Sequence, residues 1–306
     1  MIFNADFIKN FMQHYPYPAA AFELLELIKN RFDAEPDFAE EFDAILKEYL
    51  FPEAEELGAA LDKVTKLAEE KGINEYSLHF IFLLSCVETI KARYAENGID
   101  EQIYWDTMAD LFYKYRECED CEEVPGIFVA HWYSGFFDLT RFAHGRFQYE
   151  IREFNLEKDF VTSSGKVIKS GDKYINFHIP SSGVSLTDDV RLDSYKKAYE
   201  AYKHLFDDGI VVFGCGSWLL YPRHREFLPS HLNILKFMDD FEMISSEEQD
   251  EFSNGWRVFG KYSDLPLEQL PKNNSLQKAY ADWLVAGNKA GSGFGLILFD
   301  GEKILK

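Results

Sequence analysis

The sequence predicts an α+β protein: an all-helical N-terminal domain over residues 1–123, followed by a mixed α/β sandwich domain over residues 124–306. Three observations predict it. From residue 5 to about residue 117 apolar residues recur three and four apart, the period of an amphipathic helix. Beyond the acidic stretch ECEDCEEVPG, residues 117–126, segments appear that alternate with a period of two, as strands do. The charge changes at the same place. Residues 1–123 carry 28 acidic and 11 basic side chains, a balance of −17, whereas the remainder carries 25 and 21, a balance of −4.

In order along the chain, the helical period predicts helices over Ala19–Arg31, Asp37–Tyr49, Glu53–Glu70, Glu75–Asn97 and Asp100–Glu117. Pro36, Pro52, Gly72 and Gly98 separate them, and Gly98 fits a helix C-terminal cap. A further helix is expected from about Phe128 to Phe142. The segment GRFQYEIREF then alternates Phe147, Tyr149 and Ile151 with Arg146, Gln148, Glu150 and Arg152, which predicts a strand. Strands are also expected at Lys173–Ile179, Ile210–Phe213, Trp256–Gly260 and Phe294–Phe299, and helices at Asp188–Phe206, Ser230–Asp240 and Ser275–Ala286. Interleaved strands and helices imply a layered α/β architecture.

The overall charge of −21 repels polyanions, which argues against nucleic acid and anionic membranes as partners. The N-terminal residues lack the basic-then-apolar order of a secretion signal. The longest apolar runs, FIFLLSCV and IVVFGCGSWLLY, fall short of the roughly 18 to 20 residues of a membrane span, so a cytoplasmic protein is expected. Four cysteines in 306 residues make no disulfide framework. Cys118 and Cys121 have metal-like spacing without the two further ligands that zinc needs, and no metal is expected.

The chemistry is expected between Lys173 and Phe206, where a strand, a Pro-Ser-Ser-Gly turn and a long helix follow one another. On the strand KYINFHI, Tyr174, Asn176 and His178 share one face, and a polar stripe on a central strand must look into a cavity or at partners. An unperturbed imidazole has a pKa of about 6.5, which suits His178 to a general base; the alternative is a histidine satisfied by a nearby carbonyl. Ser181, Ser182 and Gly183 offer hydroxyl and N–H groups to an oxyanion or phosphate, or simply cap the helix. Asp188 and Asp189 already occupy the positive end of that helix. Glu150 is a second candidate base, or one of several paired charges on an edge strand. Tyr221, held by Pro222, is a candidate proton donor or a structural tyrosine. Gly214-Cys215-Gly216-Ser217 lacks the Gly-x-Cys-x-Gly spacing of a nucleophile elbow and reads as a strand bulged at its glycines. GSGFG, before LILF, reads as a hairpin turn.

The order strand, small-residue turn, helix, strand, helix, strand is similar to the GNAT-type N-acetyltransferase fold. More narrowly, WYSGFFDLTRFAHGRFQYE, NFHIPSSG, SWLLYP and WRVFG resemble a bacterial family of acyltransferases with a helical N-terminal domain and a GNAT-like C-terminal domain. The resemblance implies acyl-coenzyme A held between the splayed strands YINFHI and IVVFGC, and transfer of its acyl group to a small amine. His178 or Glu150 would take the amine proton, Tyr221 would protonate the thiolate, and Ser181, Ser182 and Gly183 would meet the cofactor. Here IPSSGVSLTDD stands where the family's usual pyrophosphate signature would be, and Lys236 stands where its acid tyrosine often is. Two other readings start from the same residues: a non-catalytic GNAT-like ligand-binding protein, and a cysteine hydrolase using Cys215 with His178.

Overall fold

A computed structural model describes residues 2–51 and 56–306. The chain forms two compact units, Met1–Phe142 and Ala143–Lys306.

The first unit is built, among the described residues, from α1 (Ala5–Met12), α2 (Ala19–Ala34), α3 (Pro36–Leu50), α4 (Leu57–Lys71), α5 (Glu75–Glu96) and α6 (Glu101–Glu122). The predicted start of α4 at Glu53, and the separator Pro52, lie outside the described residues. Local chemistry sets the other ends. Asn74 and Asp100 accept hydrogen bonds from the first backbone N–H groups of α5 and α6, and Gly72 closes α4 with a left-handed φ of +64°. α5 is apolar without a break from Phe80 to Leu84 and is buried all round, so it is the central helix on which the others pack.

The division between units lies later than the acidic stretch suggests. α6 continues through that stretch to Glu122 because Tyr115 and Cys118 still face the core. The predicted helix Phe128–Phe142 is instead a 3-10 turn (Ala130–Tyr133), the short α7 (Ser134–Phe137) and strand β1 (Arg141–His144). Ile127, Ala130, Tyr133, Phe136 and Phe137 are buried in the helical core, so this segment belongs to the first unit. Gly126 permits the approach: a Cβ there would stand 2.5 Å from the Tyr76 carbonyl carbon.

The second unit carries a mixed sheet. After β1 come β2 (Phe147–Glu153), a small hairpin of β3 (Phe160–Val161) and β4 (Val167–Ile168), then β5 (Lys173–His178), α8 (Asp188–Tyr202) and β6 (Val211–Ser217). There follow α9 (His224–Phe227), α10 (Asn233–Met238), β7 (Glu242–Gln249), α11 (Trp256–Phe259), α12 (Ser275–Val285), β8 (Ala290–Phe299) and β9 (Ile304–Leu305). The strand order is β1-β2-β5-β6-β8-β7, with β9 on β8. Every described pairing in the sheet is antiparallel except β5 with β6, which is parallel and has α8 between its strands in sequence, as the strand-helix-strand order predicts.

Four local readings change. Trp256–Gly260 is helical rather than a strand. β2 is an interior strand rather than an edge. β6 pairs with β8 without a register shift from Val211 to Ser217, so there is no bulge at its glycines. GSGFG is part of β8 rather than a turn, and its glycines answer a steric need. A Cβ at Gly291 would stand 2.4 Å from the Tyr221 ring, one at Gly293 2.4 Å from the Leu220 carbonyl oxygen, and one at Gly295 3.1 Å from Phe241 Cβ. Glycine here lets the segment after β6 lie flat on the sheet.

The two faces of this sheet differ. Odd-numbered residues of β2, β5 and β6, among them Phe147, Tyr149, Ile175, Phe177, Phe213 and Cys215, pack with Tyr195, Ala198 and Tyr202 of α8. Even-numbered residues form a face that is apolar at one end, around Phe154, Val212, Leu296 and Leu298, and polar at the other.

Candidate active site

The polar end of the even face is assembled by the antiparallel register of β2 and β5, which sets Glu150 opposite Asn176 and Gln148 opposite His178. Glu150 is buried, and its Oε1 collects the surrounding donors. Arg152 Nε donates to it at 3.0 Å, Asn176 Nδ2 at 3.2 Å, and His178 Nε2 lies 2.9 Å away. Asn176 Nδ2 also lies 3.0 Å from His178 Nε2. When Nε2 carries a proton it donates to Glu150, and when it does not it accepts from Asn176, so the cluster has a partner for either state of that nitrogen. Glu150 and His178, chosen from sequence as alternative bases, are therefore one hydrogen-bonded unit.

β5 and β6 part beside this cluster. Their described pairing is confined to Ile175 with Phe213 and Asn176 with Gly214, although β5 continues to His178 and β6 to Ser217. The two strands thus open as a V whose apex lies at Asn176 and Gly214, with His178 on one arm and Gly216 on the other. Gly216 is exposed, and a Cβ on it would meet only Phe294, at 3.6 Å, so this arm is unobstructed.

The turn after β5 leads from the V to α8. Gly183 has a φ of +77° with open space around it, and Ser181 and Gly183 are exposed. Ser182 Oγ accepts from Val184 N at 3.3 Å. Arg146, from the β1–β2 hairpin, donates to the Val184 and Pro180 carbonyls at 3.0 and 2.8 Å and braces the loop. The end of α8 answers its own dipole. The Asp189 carboxylate is held below its ordinary range by the Thr187 side chain and by the backbone N–H groups of Asp189 and Val190. A ligand phosphate would have to use the turn itself, where N–H and hydroxyl groups remain at the surface.

With this geometry in place, the comparisons with known proteins are decisive for family. Residues 6–139 match the N-acyltransferase N-terminal domain, and residues 141–297 match the GNAT-like C-terminal domain. The chain belongs to this GNAT-like family. A crystal structure of an acyltransferase in complex with decanoyl-CoA and teicoplanin has a TM-score of 0.74 at 20% identity, covering 95% of this chain and 87% of that one. Another, in complex with CoA and 10C-teicoplanin, has a TM-score of 0.73 at 20% identity, covering 94% and 86%. At such identity the likeness is one of fold. No curated protein sequence matches the chain.

Within this GNAT-like member, the remaining sequence candidates lie elsewhere. The Tyr221 hydroxyl donates to Glu248 Oε1 at 2.9 Å and its ring lies over Gly291, so it sits on the β7–β8 side of β6, away from β5. Burial, reinforced by Glu248, raises its pKa. Cys215 is buried in the core packed by α8, and burial drives its thiol far up. Because 215 is odd and 178 even in paired strands, Cys215 and His178 project from opposite faces of the sheet. A Cys-His pair is therefore not formed. Among the described residues no cluster of three or more His, Cys, Asp or Glu side chains could hold a metal, and no helix is long and apolar enough to cross a membrane.

Two positioning groups had little sequence signal. Arg191 is 4% exposed and grips Asp240 through Nε at 2.7 Å and Nη2 at 3.1 Å, while Nη1 donates to the Leu186 carbonyl at 2.6 Å. Its spacing to Asp188 reads as an ordinary helix-surface pair. Ser194 Oγ donates to the His144 carbonyl at 2.5 Å and accepts from Phe147 N at 3.1 Å, which fastens α8 to the hairpin that starts β2. Nothing in sequence spacing announces a serine spanning about fifty residues.

Proposed function

We propose that the protein is an N-acyltransferase that moves an acyl group from acyl-coenzyme A to the amine of a small-molecule acceptor. The observation that carries this reading is the parting of the parallel pair β5–β6 next to the Glu150–His178 unit. The family match and the coenzyme A complexes of the similar structures support it.

In this reading the extended arm of the donor lies between the open strands, as a third strand would, and its phosphates meet the turn at Ser181, Ser182 and Gly183. With Nε2–H donating to Glu150, the lone pair of His178 is on Nδ1, which takes one proton from the acceptor, bound as the neutral amine, during the attack. The amine nitrogen attacks the thioester carbon. A C–N bond forms, the C–S bond breaks, and the proton held by the imidazolium passes to the departing thiolate. Glu150 stabilises the imidazolium in between. Tyr221, engaged with Glu248, has no step in this scheme. The charge of −17 over residues 1–123 favours a cationic acceptor over an anionic one.

The test measures thiol release from acetyl-CoA across a panel of small amines, for wild type, His178→Ala and Glu150→Gln. Loss of the base lowers turnover by about 10² to 10⁴, and the Glu150 variant, which leaves the imidazole unoriented, also falls. Undiminished transfer by a folded His178→Ala variant overturns the assignment.

A further inference from the structure

The apex of the V is closed on its even face by one ring. Tyr174 precedes Asn176 by two residues on β5 and projects to the same side as Glu150 and His178. Its ring occupies the space above Gly214: a Cβ on that glycine would stand 2.5 Å from both Tyr174 Cδ2 and Cε2. The ring is fixed there, stacked on Phe154 with centroids 4.3 Å apart and edge-on to Phe294 at 5.8 Å. Behind it lies the apolar cluster of Phe154, Ile168, Val212, Leu296 and Leu298. Next to it, on the open arm, Gly216 has room above it. Gly214 must stay bare for a tyrosine, whereas Gly216 beside it is exposed and a Cβ on it would have only the Phe294 ring within contact distance, at 3.6 Å.

We infer that Tyr174 is the end wall of the acyl-binding groove and restricts the donor to short acyl groups. This rests on the acyltransferase reading above. A thioester carbon placed at the Glu150–His178 unit has its acyl group over Gly216, pointing at the Tyr174 ring that covers Gly214, because the donor's other end leads away toward the α8 turn. From the level of His178 and Gly216 to that of Asn176 and Gly214, where the ring stands, the strands advance about 7 Å. That length holds an acyl chain of about two to four carbons before it meets the ring. A longer chain would have to displace a side chain that is stacked on one neighbour and wedged against the backbone of another. Truncating Tyr174 joins the groove to the apolar cluster behind it, which suits a long alkyl chain.

The experiment is calorimetric titration of CoA and of acetyl-, butanoyl-, octanoyl- and decanoyl-CoA into wild type, Tyr174→Ala, Tyr174→Phe and Gly216→Val. Thiol release with each donor is measured alongside. Wild type is expected to favour acetyl- and butanoyl-CoA over decanoyl-CoA by at least about 10-fold, the lower end of what one misplaced methylene costs in a shaped pocket. Tyr174→Ala raises the decanoyl-to-acetyl ratio by at least 10-fold, Tyr174→Phe keeps the wild-type profile because the ring and not the hydroxyl forms the wall, and Gly216→Val narrows the profile toward acetyl-CoA. If Tyr174→Ala does not fold, the wild-type ratio and the Gly216→Val profile decide. Equal acceptance of acetyl- and decanoyl-CoA by wild type, or an unchanged ratio in a folded Tyr174→Ala, overturns the end wall and leaves the acyltransferase reading intact. Failure of wild type to bind any coenzyme A species overturns both.

Discussion

Acidification should destabilise the second unit through His224. This histidine of α9 is fully buried, with Nε2 hydrogen-bonded to the Tyr280 hydroxyl and the rings of Trp218, Tyr221, Phe227 and Tyr280 edge-on around it. Burial, only partly offset by the Leu219 backbone, lowers its pKa from 6.5 to about 4. The folded state therefore keeps it neutral in a range where the unfolded chain protonates it. Between pH 6.5 and about pH 4 the unfolded state binds more protons, so stability falls as pH falls through this window and levels off below it. A depression of about 2.5 units corresponds to roughly 3 kcal/mol in full, and to about 2 kcal/mol already lost at pH 5 relative to pH 8. His144 is likewise lowered to about 4, so a variant is needed to isolate one residue. The assay compares denaturant unfolding of wild type and His224→Phe at pH 8 and pH 5, with the wild-type imidazole titrated directly by NMR. His224→Phe should lose about 2 kcal/mol less than wild type between the two pH values. An NMR midpoint above pH 6, or equal losses in both proteins, refutes the argument.

Other outcomes follow from other parts of the second unit. Cys215→Ala should keep full acyl transfer and lose about 1 kcal/mol of stability by denaturant unfolding, since the thiol is packed in the core away from His178. Loss of transfer in a folded variant would restore the hydrolase reading. Gly183→Pro cannot adopt the φ of +77° and removes an N–H, so the turn must change shape: coenzyme A affinity by calorimetry should drop in the folded variant, with a loss of about 1 kcal/mol of stability, and an unchanged affinity would reject this location. Asp240→Ala strands the buried Arg191 guanidinium and should cost about 3 kcal/mol, readable as a lower denaturation midpoint. A change under 1 kcal/mol would mean that Asp188 and the Leu186 carbonyl suffice.

The fold was legible where one pattern dominated. The helical period over α2 to α6 and the strand-turn-helix-strand order of β5, α8 and β6 both appear in the structure, because burial on one face dictates the period in each. Misread segments are those where packing overrides local preference. Trp256–Phe259 has the aromatic and β-branched composition of a strand and yet is a helical turn. The glycines of β8 have the composition of a turn and yet sit mid-sheet, since what they accommodate, Tyr221, Leu220 and Phe241, lies fifty or more residues upstream. The same limit applies to the candidate site. Glu150 and His178 could each be chosen by chemistry and by strand face, but their union depends on the register of β2 against β5, which no local signal specifies. Tyr221 was attached to them by sequence proximity alone, and the sheet order separates it.

The place of β8 between β6 and β7 also bears on synthesis of the chain. β8 begins at Ala290, forty residues after β7 ends at Gln249, and it supplies the pairing that joins β6 to β7. A ribosome therefore releases Val211–Ser217, an apolar strand, well before its antiparallel partner exists. At about 5 to 20 residues per second the wait lasts seconds, long compared with collapse of the nascent chain. During that interval the only sheet neighbour available to β6 is β5, over the few residues next to the apex. A ribosome stalled before Ala290 would leave the other edge of β6 bare, so such truncated chains should be prominent chaperone clients and aggregate where the longer chain does not.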